Sequence, residues 1–322
     1  MLKKIEQAPA TNTREDFVSK AGTREVKGPR RKGRKLSDAT VDYVKMMWFG
    51  PAGVGKTHLI GQFVEKLGKR VALISTDIGD SGHLTIKTQL KNAGRLDLLD
   101  NVYLLELQGF KEVSAFLQDP YKFDPALWEH DPDILAWDGF SSFQQVDISE
   151  HVGDMRPADK ANGEQRDRGD FREEGVIFEQ ADWGAVKNYT VRKGNSFLGI
   201  RHPSGKPLHK IVTCFEAITY KPADSSKPTG AQVVAETYKP MLQGAGGHML
   251  LGGFDLIMRC KTTTKREGDS SRREYSLVTQ GSQNLVAKNR GFDLAPEIPA
   301  DAAFLWEKIL EGIGSGVLTK AK

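Results

Sequence analysis

Residues 44–57 read Val44-Lys45-Met46-Met47-Trp48-Phe49-Gly50-Pro51-Ala52-Gly53-Val54-Gly55-Lys56-Thr57. The first six form a short apolar run of strand length, and the last eight satisfy G-x-x-x-x-G-K-[ST]. Directly afterwards Leu59, Ile60, Phe63, Val64 and Leu67 recur at helical spacing. A glycine-rich loop between a strand and a helix turns backbone N–H groups inward, and the helix N-terminus adds partial positive charge. The stretch therefore reads as a cradle for a polyphosphate.

Outward from this loop, further strand-like runs occur at 71–75, 102–106, 134–137, 211–219, 254–260 and 275–279, and a closing amphipathic helix at 304–313. Strands alternating with helical patterns predict an α/β core, a mostly parallel twisted sheet flanked by helices. We read residues 41–322 as this core and 1–40 as a separate N-terminal arm. Two segments break the rhythm. Residues 149–182 are dense in charge and glycine, and 221–232 have a linker's composition. Each follows a predicted strand, so both are expected at one end of the sheet.

The net charge of +4 divides unevenly: residues 1–36 carry +7 and the other 286 carry −3. Lys27, Arg30, Arg31, Lys32, Arg34 and Lys35 crowd into nine positions with Gly28, Pro29 and Gly33 between them. Such a stretch cannot bury a core, and is expected to be an extended arm that contacts nucleic-acid phosphates. The mean hydropathy is −0.45 and no apolar run approaches eighteen residues, which argues against a membrane-spanning helix. The polar beginning Met1-Leu2-Lys3-Lys4 does not resemble a secretory signal. Two cysteines, Cys214 and Cys260, are too few for a disulfide framework and fall in apolar runs, so they are expected as buried core residues. The expected compartment is the cytoplasm.

The loop also assigns chemistry. Gly50, Pro51, Ala52, Gly53, Val54, Gly55, Lys56, Thr57 and His58 form the predicted nucleotide-contact set. Lys56 is expected to reach the β- and γ-phosphates and the Thr57 hydroxyl to ligate Mg²⁺, with ATP as the nucleotide. A second metal anchor is sought at the end of a buried strand. Asp138 closes Ile134-Leu135-Ala136-Trp137-Asp138, whereas Asp131 and Asp133 precede that strand and read as turn residues. A carboxylate able to polarise an attacking water is expected after the strand at 71–75. Asp77 is the first choice and Asp80 its competitor, though either can instead cap the following helix.

Taken in order, these blocks resemble a RecA-type recombinase core, in particular the compact phage-encoded proteins that act in ATP-dependent single-strand annealing or recombination. The resemblance runs from residue 44 to about 297 and rests on GPAGVGKT, STDIGD, ILAWDGFSS, IVTCFEAITY, GAGGHMLLGGFDLIMRC and LVAKNRGFDLAP. It implies a γ-phosphate sensor at Glu216, where that family usually keeps Gln, and a mobile DNA-binding loop after it with Lys221 and Lys227. It also implies that Lys288 and Arg290 reach the ATP of a neighbouring subunit in a ring or filament. The implied function is DNA-stimulated ATP hydrolysis coupled to single-stranded DNA annealing or homologous pairing, in the cytoplasm of a phage-infected bacterium. A single-strand-binding protein is a further candidate partner. Two other uses of the loop stay open: a small-molecule kinase, with Arg166, Arg168 and Arg172 as a lid, and a nucleotide-gated adaptor such as a helicase-loading ATPase.

Overall fold

In a computed structural model, residues 43–76, 82–144, 180–222, 233–242, 246–267 and 270–314 are described. Among the described residues ten strands form the sheet: β1 (Lys45–Gly50), β2 (Val71–Ser75), β3 (Val102–Glu106), β4 (Ile134–Asp138), β5 (His209–Pro222), β6 (Val233–Pro240), β7 (Leu256–Glu267), β8 (Ser270–Val278), β9 (Lys288–Asn289) and β10 (Glu297–Pro299). The α-helices among the described residues are α1 (Lys56–Leu67), α2 (Gly82–Asn92), α3 (Gly109–Gln118), α4 (Pro120–Phe123), α5 (Pro125–Glu129), α6 (Gln180–Gly199), α7 (Gly246–Leu251) and α8 (Ala302–Gly314).

The main path runs β10-β8-β7-β1-β5-β4-β2-β3. From β7 to β3 every pairing is parallel, and β8 and β10 add an antiparallel margin. This is the α/β fold expected from the alternating strand and helix patterns.

Its core follows from the period-2 alternation of β1. Val44, Met46 and Trp48 belong to one apolar cluster with Ile60, Phe63 and Val64 of α1 and Leu305 and Ile309 of α8. Met47 and Phe49 point the other way and pack with Val113 and Phe116 of α3, Phe197 of α6 and Leu250 of α7. Both faces of the central strands are thus covered, which is why these strands read as continuous apolar runs. Cys214 and Cys260 are buried, and burial pushes both thiols up to about 12, so they are inert packing residues.

Two hairpins depart from the expected pattern. β5 leaves its parallel neighbour after Gly50 pairs with Phe215, then continues from Glu216 to Pro222 against β6. The strand at Val233–Pro240 was not expected, since its Ala, Glu and Lys weaken the apolar signal. β7 likewise runs past its last pairing with β1, Phe49 with Arg259, and continues against β8 to Glu267. Its Thr262, Thr263 and Thr264 are β-branched but polar, so they favour a strand without announcing a buried one.

Candidate functional site

The loop after β1 leads directly into the first turn of α1. Gly50 is required by crowding: a Cβ there would lie 2.7 Å from the Cys260 carbonyl oxygen and 3.0 Å from a Val54 methyl. Gly53 and Gly55 have φ of 73° and 90°, the left-handed region that side chains disfavour. Gly55 is also the N-cap of α1 and supplies no side-chain cap, so the first N–H groups of the helix stay open to an anion. Lys56 Nζ donates to the carbonyls of Gly50 at 3.0 Å and Pro51 at 2.8 Å, and lies 5.2 Å from the Phe215 ring centre. Pro51, Ala52, Gly53 and His58 are exposed, whereas Val54 is buried and anchors the loop in the core.

Asp138 ends β4 and is only 4% exposed. The Thr57 hydroxyl donates to its Oδ2 at 2.6 Å, and the hydroxyl of Thr213, on β5, donates to its Oδ1. The Gly139 N–H in turn donates to Thr213 Oγ1 at 3.0 Å, which orients that hydroxyl. Gly82, at the start of α2, stands so close that a Cβ would come 3.1 Å from Asp138 Oδ2. The end of β2 is tied to the same place, because the Thr76 hydroxyl donates to the Gly139 carbonyl at 3.1 Å.

A hydroxyl and a carboxylate that already share a hydrogen bond are hard oxygen donors of the kind Mg²⁺ takes. Mg²⁺ is usually held by one or two protein oxygens, with water and phosphate completing the shell. Among the described residues there is no group of three His, Cys, Asp or Glu that could hold a metal unaided. The donor set therefore suits a metal that arrives with phosphate oxygens.

The other residues singled out in the sequence are dispersed. Asp77 and Asp80 lie outside the described residues, as do Lys227, the charged insert through 179, and the arm with Lys27, Arg30, Arg31, Lys32, Arg34 and Lys35. Lys221 is in β5 beside an irregularity in the pairing with β6. Glu216 has a buried side chain engaged by Arg259, whose Nε donates to Oε1 at 2.5 Å and Nη2 to Oε2 at 3.2 Å. The same guanidinium lies 3.7 Å from the centre of the Tyr238 ring on β6. Lys288 donates to the carbonyls of Leu251 and Gly252, both at 3.1 Å, at the end of α7. Desolvation, reinforced by neighbouring Arg290, holds its ammonium below the ordinary lysine range. Arg290 is exposed, and its backbone N–H bonds to the Asp255 carbonyl. Lys288 pairs with Ile257, which lies opposite Met47, three residues before Gly50. At about 3.3 Å per residue that is roughly 10 Å back along the sheet from the loop.

Three neighbours of the site escaped the sequence reading. Thr213 was hidden as one hydroxyl in the apolar run Ile211-Val212-Thr213-Cys214-Phe215, and only the register of β4 and β5 brings it to Asp138. Arg259 could have been noticed as the single cation in Leu256-Ile257-Met258-Arg259-Cys260. Tyr275, on β8, stands against Gly55, whose added Cβ would meet its ring at 3.6 Å. That approach depends on a hairpin return.

The family model AAA_24, described as an AAA domain, matches residues 42–291. No curated protein matches the chain. Among solved structures, the chain is similar to the flagellar accessory protein FlaH from Methanocaldococcus jannaschii, at 10% identity and a TM-score of 0.35. That likeness covers 77% of this chain and 79% of FlaH. With its loop, its strand-end aspartate and a family match over most of its length, the chain belongs to the AAA domain family and has a P-loop α/β core.

Proposed function

We propose that the chain is a Mg²⁺-dependent ATP hydrolase that assembles on single-stranded DNA and promotes annealing or homologous pairing. The observation that carries the reading is the Thr57–Asp138 hydrogen bond beside the Lys56 loop, which gathers cation, hydroxyl and carboxylate at one helix start. Backbone N–H groups from Gly53 to Thr57 bind the phosphates, and Lys56 exchanges its loop carbonyls for β- and γ-phosphate oxygens. Thr57 and Asp138 hold the metal, and Thr213 orients Asp138. The metal, when bound, neutralises charge that develops on the transferred phosphoryl group. Asp77 or Asp80 takes the water-activating role.

Support for a DNA link comes from the path of β5. Phe215 faces the Lys56 ammonium, and the next residue, Glu216, opens the hairpin that leads to Lys221 and the 223–232 segment. Lys288 and Arg290, set back from their own loop, fit cations that serve a neighbouring protomer in a ring or filament.

The test is ATP turnover with and without single-stranded DNA at two salt concentrations. Stimulation that weakens with salt is expected, and turnover indifferent to DNA overturns the reading. One observation favours a second reading, a nucleotide-gated adaptor: both carboxylate oxygens of Glu216 are already held by Arg259. Stable ATP binding without turnover, DNA present or absent, would select it.

A further inference from the structure

Beyond the P-loop sheet, β7 and β8 continue as a two-stranded ribbon. The last β7 residue paired with β1 is Arg259, and the last β8 residue paired with β10 is Ser276. From Thr262 to Glu267 the ribbon strands pair only with each other, a reach of about 20 Å.

Residues directly opposite in an antiparallel pair share a face. The pairs Thr262–Tyr275, Thr264–Arg273 and Arg266–Ser271 therefore lie on one side, and Lys261–Ser276, Thr263–Glu274 and Lys265–Arg272 on the other. The two sides differ in charge. On the second, Lys265 is bonded to Glu274 at 2.8 Å and Lys261 approaches Glu297 at 3.4 Å, so its lysines are neutralised within the fold. On the first, the Arg266 and Arg273 side chains are exposed and make no hydrogen bond or ion pair among the described residues. These six positions hold two arginines, three hydroxyls and one tyrosine, with no carboxylate. Tyr275 forms the base of this side, 43% exposed, with its ring beside Gly55 of the phosphate loop.

We propose that this face of the β7–β8 ribbon binds the sugar-phosphate backbone of a nucleic-acid single strand. Arg266 and Arg273 meet phosphates, hydroxyls add hydrogen bonds, and Tyr275 offers a flat surface for one base at the ribbon's root. The inference rests on the DNA reading above and assigns it a surface that the sequence did not single out. A front with two unpaired arginines and no carboxylate, against a back whose lysines are paired and which leaves one arginine, Arg272, exposed, would give the ribbon a preferred side for the strand. Contact of Tyr275 with Gly55 would place that strand's end next to the nucleotide loop.

The experiment is fluorescence anisotropy of the full chain with a labelled oligothymidylate over a salt series. It compares wild type, the double variant Arg266→Ala/Arg273→Ala, and Arg272→Ala on the opposite side. Loss of two phosphate contacts is expected to lower the slope of log affinity against log salt by about 1.4, at roughly 0.7 per single-strand contact. Affinity at low salt should fall on the order of tenfold, or about 1.4 kcal/mol, while Arg272→Ala stays within about twofold of wild type. Thermal melting of each variant checks folding, and Arg266→Lys/Arg273→Lys should restore the slope. A double variant matching wild type in affinity and slope, or Arg272→Ala as damaging as the double, overturns the ribbon site alone. Competition by polyglutamate that equals competition by unlabelled strand also overturns it, in favour of an acidic protein partner. A wild type that binds no single strand at any salt sinks the DNA reading itself, and the ribbon site with it.

Discussion

Replacing Arg259 with Ala should unlock the junction between the phosphate-loop sheet and the β5–β6 hairpin. Glu216 is 5% exposed at its side chain, and both its oxygens are bonded to that one guanidinium. The substitution leaves a buried carboxylate without its partner, a loss of roughly 3–5 kcal/mol when one partner of a buried pair is removed. Arg259 itself is 20% exposed, so water partly screens the pair and the lower end, about 3 kcal/mol, is the better expectation. Its stacking on Tyr238 contributes about 1 kcal/mol more, and this is also lost. Replacing both partners, as in Glu216→Gln/Arg259→Met, removes the stranded charge and should recover most of the loss. The assay is urea unfolding of wild type, Arg259→Ala, Glu216→Gln, Arg259→Met and the Glu216→Gln/Arg259→Met double variant, the last three read with wild type as a double-mutant cycle. A single variant that loses less than about 1 kcal/mol, or a double variant no more stable than either single one, would refute the reasoning.

Lys56→Ala should abolish ATP hydrolysis while leaving the melting temperature nearly unchanged, because the loop carbonyls it donates to are exposed or half-buried; turnover by this variant would contradict the assigned role. Asp138→Asn should weaken the Mg²⁺ dependence of nucleotide binding by at least tenfold, measured by titrating Mg²⁺ against a fluorescent ATP analogue, and Thr213→Val should do so more mildly through loss of the Oδ1 hydrogen bond. Gly50→Ala should fold poorly, since its methyl would meet a backbone oxygen at 2.7 Å; a melting temperature within two degrees or so of wild type would exclude that clash. His209 is depressed to about 4 by burial, then by Lys69 and Lys210, and its Nδ1 accepts the Val44 N–H. The unfolded chain therefore binds more protons between about pH 6.5 and 4, and stability falls as pH drops through that window, by on the order of 3 kcal/mol from this group. His209→Asn should flatten that part of the pH–stability curve relative to wild type, whose slope otherwise also contains the carboxylates.

Legibility from sequence tracked the range of the signal. The phosphate loop, α1 and β1 to β4 were readable because each is one short apolar run or one local spacing rule, and Asp138 stood out as a charge closing such a run. The margin was not readable in the same way. Val233–Pro240 and Thr262–Glu267 gain their strand pairing from a partner rather than from burial, so apolar alternation does not mark them. Thr213, Arg259 and Tyr275 join the site only through register. A one-residue shift in β5 would turn Thr213 away from Asp138, and nothing local to Thr213 reports that register.

Register also explains why the nucleotide site and the two hairpins meet. β5 and β7 flank β1, and both outrun it: β5 after Phe215 and β7 after Arg259. The residues at these points of departure touch. Phe215 faces Lys56, Glu216 binds Arg259, and the next residue, Cys260, crowds Gly50 so closely that no side chain fits. A displacement of the Lys56 ammonium toward a phosphate therefore acts on Phe215 and, one residue later, on the ion pair that joins both hairpin roots. Packed junctions of this kind do not stretch smoothly; they exchange one set of contacts for another. Two extended ribbons rooted on either side of the phosphate loop thus have a short mechanical path to its occupancy, and Glu216 with Arg259 is the bond that path must load.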